Sequence, residues 1–486
     1  MSLRFHNQLS KTVDDFTPQL EGRVSLYTCG PTVYDYLTVG NWSAYIYWDI
    51  LVRVLQANSL EVDRVMNITD VGHLVSDADD GQDKLEKGAK REGKTAWEVA
   101  DFYGKDFLRG MDRLGLLMPA HITKATDFIP QQLALVKVLK DRGFTYQIDD
   151  GIYFDTAKFP TYAEFAELDL DAQKAGARVE FNPEKRNHSD FALWKFTPKD
   201  ETRDMEWPTP AEITDDGTTR PGFPGWHLEC SAMSMDILGN TLDMHTGGID
   251  HIPVHHTNEI AQSEAATGEL FSRFWLHNNH LKVEGTKISK SLNNGYTLDD
   301  LERKGYSLFD FRLLVLQSHY RSEGNFTFDS LDGAKNRRLH WRNIAALRHQ
   351  THDTLRDDDE KSSDETSVSL YATSQAIVEA LSNDLDTPEA FRIIDEAFGR
   401  LDSARVDDIH QHALTQLLET IDDVLGMQLL VSTPDITDEQ KQLIIARERA
   451  RDEKDWAASD QLRDEIEKSG IILRDTASGT IWEYAI

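Results

Sequence analysis

Residues 23–68 constrain the fold more than any other part of the chain. Arg23–Gly30 (RVSLYTCG) reads as a buried strand closed by Cys29-Gly30-Pro31. Trp42–Gln56 places Ile46, Ile50, Leu51 and Val54 on one face, as an amphipathic helix does, and Val62–Ile68 reads as a second strand ending at Thr69-Asp70. Strand, glycine-bearing turn, helix and strand over this length make a βαβ unit. In such a unit the helix N-terminus, here Thr38-Val39-Gly40-Asn41, is where a nucleotide phosphate sits. The unit alone does not establish that a nucleotide binds, since many α/β proteins share it.

A chain of 486 residues with 40% apolar content is too long for one core and predicts two to four domains. Apolar runs of membrane-spanning length are absent from the sequence, and its start, MSLRFHNQLSKTVDDF, has no signal-peptide core. Two cysteines exclude a disulfide framework and point to a reducing, cytoplasmic setting. A formal charge of −32 favours solubility and speaks against a broadly basic coat for nucleic acid.

Residues 76–109 read as charged helix with a solvated face. An insertion of mixed structure follows over 113–225, with strands expected at Gly151–Phe154 and Phe191–Trp194 and a turn or hinge at Arg220–Gly225 (RPGFPG). Trp275–His280 is a strand candidate, and Gly285–Asn294 (GTKISKSLNN) a loop whose lysines and serines suit a triphosphate. A surface loop is the commoner fate of such a cluster. Leu331 to about Met427 has the periodicity of a helix bundle, interrupted by the acidic stretch Arg356–Ser367, which reads as an exposed linker. The tail from Gln440 predicts two helices and a terminal strand pair around Ile471–Leu473 and Thr480–Trp482.

The densest chemistry lies in Gly225–Ala265, GWHLECSAMSMDILGNTLDMHTGGIDHIPVHHTNEIAQSEA. On a helix His255 and Glu259 share a face. With Cys230 they supply an imidazole, a carboxylate and a thiol, a donor mix suited to zinc, and Cys29, at the end of the first strand, completes a set of four. The alternative reading keeps both cysteines as small buried apolar residues and His255 as a satisfied core histidine.

Taken together, CGPTVYDY at 29–36, NITDV at 67–71, PGWHLECSAM at 224–233, GGID at 247–250, HHTNEIAQSEA at 255–265, KISKS at 287–291, HYRS at 319–322 and the tail from WAASDQLRDEI through LRDTASGTIW resemble cysteinyl-tRNA synthetase, a class I aminoacyl-tRNA synthetase. The resemblance implies an α/β fold: a Rossmann-type doubly wound parallel sheet with an inserted domain, then a helical bundle and a small α+β tail. It implies the halves of the nucleotide-binding domain at 1–112 and 226–280, the insertion at 113–225, a loop and stem-contact region at 281–330, the bundle at 331–430 and an anticodon-binding tail at 431–486.

It further implies one zinc ion held by Cys29, Cys230, His255 and Glu259, which binds the thiolate of L-cysteine and so separates it from serine. Thr32, Thr69, Trp226 and Asp250 are expected around the amino acid. ATP, with Mg2+, is expected on Thr38, Gly40 and Asn41, which match the HIGH motif, with Gly248 nearby, and on Lys287, Ser289 and Lys290, from the KMSKS motif. The implied reaction forms cysteinyl-adenylate and then charges tRNA(Cys), whose anticodon meets Arg451, Trp456, Asp460 and Asp475. Arg337, Arg338, Arg342, Arg348, Arg447, Arg449 and Arg451 are candidates for a phosphate-binding stripe, and a monomer is expected. The chain departs from the pattern at Thr38, usually histidine, at Trp42-Ser43, and at Ile288 in place of methionine. Trp42 is expected to fill space left by the shorter Thr38. The rival readings are a cysteine ligase acting on a small amino-sugar acceptor and a non-catalytic tRNA-binding descendant.

Overall fold

The computed structural model describes residues 2–72, 84–169, 182–200, 202–289, 292, 294–350, 365–476 and 479–485. An antiparallel hairpin, β1 (Leu3–Asn7) and β2 (Thr12–Phe16), precedes β3 (Arg23–Thr28), α1 (Val39–Ala57) and β4 (Glu61–Ile68). Strands β3 and β4 pair in parallel, so the βαβ unit forms as the sequence predicts. Helices α2 (Lys84–Glu92) and α3 (Ala96–Arg113) lead to β5 (His121–Lys124), parallel to β4, and α4 (Ile129–Asp141) follows.

A second sheet, antiparallel, is inserted here. It comprises β6 (Thr145–Ile148), β7 (Gly151–Phe154), β8 (Phe191–Phe196), β9 (Trp207–Thr209) and β10 (Arg220–Pro224), in the order β6-β7-β8-β10-β9. Strand β10 corrects the expectation of a hinge: RPGFP pairs with both β8 and β9. Glycine makes that pairing feasible, because a Cβ on Gly222 falls 2.4 Å from Trp194 Nε1 and 2.5 Å from the Lys195 carbonyl oxygen.

The chain then re-enters the first sheet. Helix α5 (Trp226–Leu238), β11 (Leu242–Gly248), α6 (Thr257–Thr267) and β12 (Ser272–Asn278) complete a five-stranded parallel sheet of order β12-β11-β3-β4-β5. Progression along the sheet runs one way from β3 to β4 and the other way from β11 to β12. The C-terminal ends of β3 and β11 therefore flank the crevice where doubly wound sheets bind ligands.

Helix α1 is buried around most of its circumference, including Trp42, Tyr45, Trp48, Leu51 and Leu55. The one-sided amphipathic helix expected from sequence is therefore corrected. Its second face is covered by α7 (Leu308–Leu316) and by two helices of the C-terminal bundle α8 (Phe328–Ala346), α9 (Glu365–Ser382), α10 (Thr387–Ser403) and α11 (Gln411–Leu425), namely α9 and α11, and the bundle's apolar residues join the sheet in one core. Most of the acidic stretch 356–367 lies outside the described residues. The tail folds as α12 (Asp438–Asp452), α13 (Trp456–Lys468) and the antiparallel pair β13 (Ile471–Thr476) and β14 (Gly479–Tyr484). Among the described residues no helix is long and apolar enough to cross a membrane.

Two buried carboxylates knit these parts together. Asp49, in the middle of α1, accepts from Arg53 Nε at 2.7 Å, from the Leu117 amide at 2.7 Å and from Arg312 on α7. Arg312 in turn donates to the Leu425 carbonyl at the end of α11, 2.8 Å away. Asp384, between α9 and α10, accepts from the His6 amide at 2.8 Å, the Tyr320 hydroxyl at 2.6 Å and Arg321 Nε at 2.9 Å. The HYRS segment thus converges on one carboxylate that also holds the N-terminal hairpin.

Candidate functional site

Cys29 follows β3 directly, and its amide donates to the Thr246 carbonyl of β11 at 3.1 Å, which places the thiol in the crevice. Cys230 lies on the second turn of α5. Residues Ile252–His256 form a π-helical turn that runs into α6, and this turn carries His255 to within 2.8 Å of Glu259 Oε1. One ligand atom from each of Cys29, Cys230, His255 and Glu259 lies within 4.8 Å of every other, and all four residues are buried.

The electrostatics are those of a closely coupled donor set. Burial opposes charge on Glu259, but His245 and His255 pull its pKa down to about 2. Burial likewise opposes charge on His255, yet the Glu259 carboxylate and the Cys230 sulfur raise it to about 10. Contact with Cys29 lowers the Cys230 pKa against the effect of burial, while burial pushes the Cys29 thiol up. Two thiols, an imidazole and a carboxylate at this spacing fit a tetrahedral zinc ion. So does the buried Glu259 Oε1, which lies 2.8 Å from His255 Nε2 but lacks the alignment of a hydrogen bond.

Thr32 and Thr69 are bridged to one another, and the Thr69 hydroxyl donates to Glu229 at 3.2 Å. Trp226, half-buried, lays its ring 4.6 Å from that of His255. Asp250 is exposed in a 3-10 turn just beyond β11, with its carboxylate folded back against Gly248. The neighbouring Asp70 is buried and raised to about 6, chiefly by burial, although its oxygens accept from the Thr126 amide and hydroxyl. A carboxyl whose pKa rises on folding contributes stability below its unfolded value, about 4, and loses it as pH passes 6. Asp70→Asn is therefore expected to become about 2 kcal/mol more stable relative to wild type between pH 4 and pH 7. Urea unfolding of both proteins across that range checks it, and a constant difference refutes it.

The two ATP-motif segments are in contact. A Cβ on Gly40 falls 2.7 Å from Ile288 Cδ1, and Val39 donates to the Tyr296 carbonyl at 2.8 Å. Asn294 straps the loop, accepting from the Ser289 amide at 2.8 Å while donating to the Thr286 hydroxyl and the Lys287 carbonyl. Lys287 is exposed, and Lys290 lies outside the described residues. Thr38 caps α1, its amide and hydroxyl both donating to Asn41 Oδ1 at 3.0 and 2.9 Å. The Asn41 amide donates to the Thr38 carbonyl at 2.9 Å. Trp42 does not fill space beside Thr38. It stacks on Phe107 of α3 at 5.5 Å and covers Gly110.

In the tail, Trp456 is 60% exposed at the start of α13, and Asp460 is exposed one turn on. Asp475 binds Arg447 at 3.1 Å, the Thr480 hydroxyl at 2.9 Å, and Arg451. The basic stripe expected along this side is largely corrected. Arg337 pairs with Asp395, Arg338 with Asp310, and Arg348 is buried against the Thr433 carbonyl at 2.7 Å.

Residues 15–336 match the family model for the catalytic domain of class I (C) tRNA synthetases, and residues 433–482 match the cysteinyl-tRNA ligase anticodon binding domain. A cysteine–tRNA ligase of Treponema denticola is 38% identical over 507 residues, covering 99% of this chain and 100% of the relative. Cysteine–tRNA ligase 1 of Burkholderia lata is 40% identical over 483 residues, covering 99% and 96%. The chain belongs to the cysteinyl-tRNA synthetase family. Mycobacterium tuberculosis methionyl-tRNA synthetase in complex with methionyl-adenylate shares its fold, with a TM-score of 0.61 at 14% identity, over 84% of this chain and 92% of that one.

Family motifs do not by themselves single out the histidines packed behind the four donors. His245 stacks on Trp275 with ring centres 4.4 Å apart, and its Nε2 lies 2.8 Å from Glu259 Oε2. His256 Nε2 lies 3.5 Å from Cys29 Sγ, and its Nδ1 lies 2.7 Å from His277 Nε2. The signal available in sequence is positional: His245 lies at the middle of β11 and His277 near the C-terminal end of the adjacent strand β12, beside the crevice that holds Cys29.

Proposed function

We propose that this chain activates L-cysteine with ATP and transfers it to tRNA(Cys). The observation that carries the reading is the convergence of Cys29, Cys230, His255 and Glu259 at the β3/β11 crevice, beside Trp226. These four residues would hold zinc. When bound, zinc supplies a Lewis acid that prefers a soft substrate thiolate to a serine hydroxyl, a distinction shape alone makes poorly.

The chain's own groups account for the remaining requirements. Trp226 walls the amino-acid site, and Thr32 and Thr69 fix its floor. Asp250 faces the substrate ammonium from the rim. The Lys287 ammonium, together with Lys290, meets the phosphates of ATP and Mg2+, and catalysis rests on positioning and on neutralising charge as the carboxylate of cysteine attacks the α-phosphate. No side chain acts as a nucleophile. The exposed Trp456 offers a face for an anticodon base, with Arg451 held in place by Asp475 and Asp460 on the adjacent turn. We take 1–112 and 226–280 as the nucleotide-binding halves, 113–225 as an insertion, 281–330 as the loop and stem-contact region, 331–430 as the bundle and 431–486 as the tail, in a cytoplasmic monomer.

Cysteine-dependent exchange of labelled pyrophosphate into ATP, followed by charging of tRNA(Cys), tests the reading. Absence of exchange favours a non-catalytic descendant. Exchange without charging favours a ligase for a small acceptor, a reading the anticodon-domain match argues against. Cys230→Ser is expected to weaken cysteine binding far more than ATP binding and to lower zinc content, and equal loss of both substrates counts against the assigned site. Trp456→Ala should lower kcat/KM for tRNA at least fivefold, on the order of 1 kcal/mol of lost stacking, and leave pyrophosphate exchange unchanged.

A further inference from the structure

Glu259 faces two donor sets at once. Its Oε1 lies 2.8 Å from His255 Nε2, and its Oε2 lies 2.8 Å from His245 Nε2. Cys29 is shared in the same way, grouped with Cys230 and His255 on one side and 3.5 Å from His256 Nε2 on the other. In the second set, as in the first, one atom from each of Cys29, His245, His256 and Glu259 lies within 4.8 Å of every other, and all four residues are buried.

We propose that Cys29, His245, His256 and Glu259 form an inner seat for a divalent ion of zinc's chemistry, sharing two ligands with the outer seat so that a single ion occupies one or the other. The proposal rests on the zinc reading given above. One thiolate, two imidazoles and a carboxylate make a donor set of the right softness and number. The contact of His256 Nδ1 with His277 fixes that ring and leaves Nε2 turned toward Cys29, the arrangement usual for a ligating histidine. His245 Nδ1 is buried without a hydrogen-bond partner among the described residues, so the ring is anchored by its stacking on Trp275 and by Nε2, the atom that meets Glu259.

The two seats differ in what surrounds them. The outer one has two thiolates and the Trp226 face, and the inner one a single thiolate and the Trp275 face. An ion in the inner seat does not depend on Cys230 or His255, so the pair of seats would let the protein keep its metal while those two outer ligands are disengaged.

The experiment loads the full-length protein with Co2+ and measures bound metal together with the thiolate-to-cobalt absorption band. Wild type should hold about one ion per chain. The variant Cys230→Ala/His255→Ala should also hold about one, with the band at roughly half intensity because only Cys29 remains as a thiolate ligand. A parallel variant with Cys230→Ala/His255→Phe refills the ring volume and should behave alike. Adding His245→Ala and His256→Ala should abolish binding. Metal in wild type with none in both outer-ligand variants, each shown to be folded by near-ultraviolet circular dichroism, overturns the inner seat and leaves His245 and His256 as hydrogen-bonding supports. Metal that persists after all four ligands are removed overturns it as well. Wild type without metal refutes the zinc reading and this one with it.

Discussion

Asp49→Ala is expected to lower unfolding free energy by about 3–5 kcal/mol. Asp49 and Arg312 are each fully buried, and the carboxylate is held below the usual range because Arg312 and Arg53 outweigh the effect of burial. Truncating the acid removes the partner of two guanidinium groups, one of which has no route to water. It also strips the Leu117 amide of its acceptor. Arg312 keeps its bond to the Leu425 carbonyl, so it cannot swing out without detaching α7 from the end of α11. Asp49→Asn should cost less, because the amide oxygen still serves Leu117. Guanidinium-induced unfolding of the three proteins is the measurement, and a loss below about 1 kcal/mol for alanine, as for an exposed pair, refutes the strut.

Thr38→His, which restores the usual family residue, should slow adenylate formation by on the order of a hundredfold, up to about 3 kcal/mol of overpacking. Thr38 pairs with Thr297 as an isolated bridge, and its Cγ2 lies 3.0 Å from where a Cβ on Gly295 would stand. An imidazole in that gap meets backbone that is itself pinned by the bond from Val39 to Tyr296. Crowding should therefore push the 286–297 segment away from Gly40, raising KM for ATP as well as lowering kcat. A faster enzyme would mean that the threonine is a defect and not an accommodation.

The legible and illegible parts of this chain divide along physical lines. Alternation and glycine punctuation mark β3, β4 and the terminal hairpin, because half-buried and fully buried strands leave a local pattern. RPGFP fails as a strand in that reading because proline and glycine usually end one. The close approach of Trp194 and the Lys195 carbonyl across the sheet explains why Gly222 belongs there. The four donors were readable as chemically apt types, but their distances depend on β11 lying beside β3, a pairing no local pattern encodes. The arginines of the bundle misled for a related reason: charge is visible in sequence, while the aspartates that neutralise it, such as Asp395 opposite Arg337, come from distant helices.

The parallel pairing of β3 with β11 also sets a schedule for synthesis. Cys29 and Glu259 are separated by 230 positions, with the entire inserted sheet between them. At roughly 5–20 residues per second, the first thiol emerges from the ribosome on the order of ten to fifty seconds before its last companion. During that interval neither β11 nor α6 exists to cover it, so Cys29 waits as a solvent-facing nucleophile on a nascent chain. Oxidation or capture by a stray metal in that window would block the crevice before the second half of the sheet could close over it.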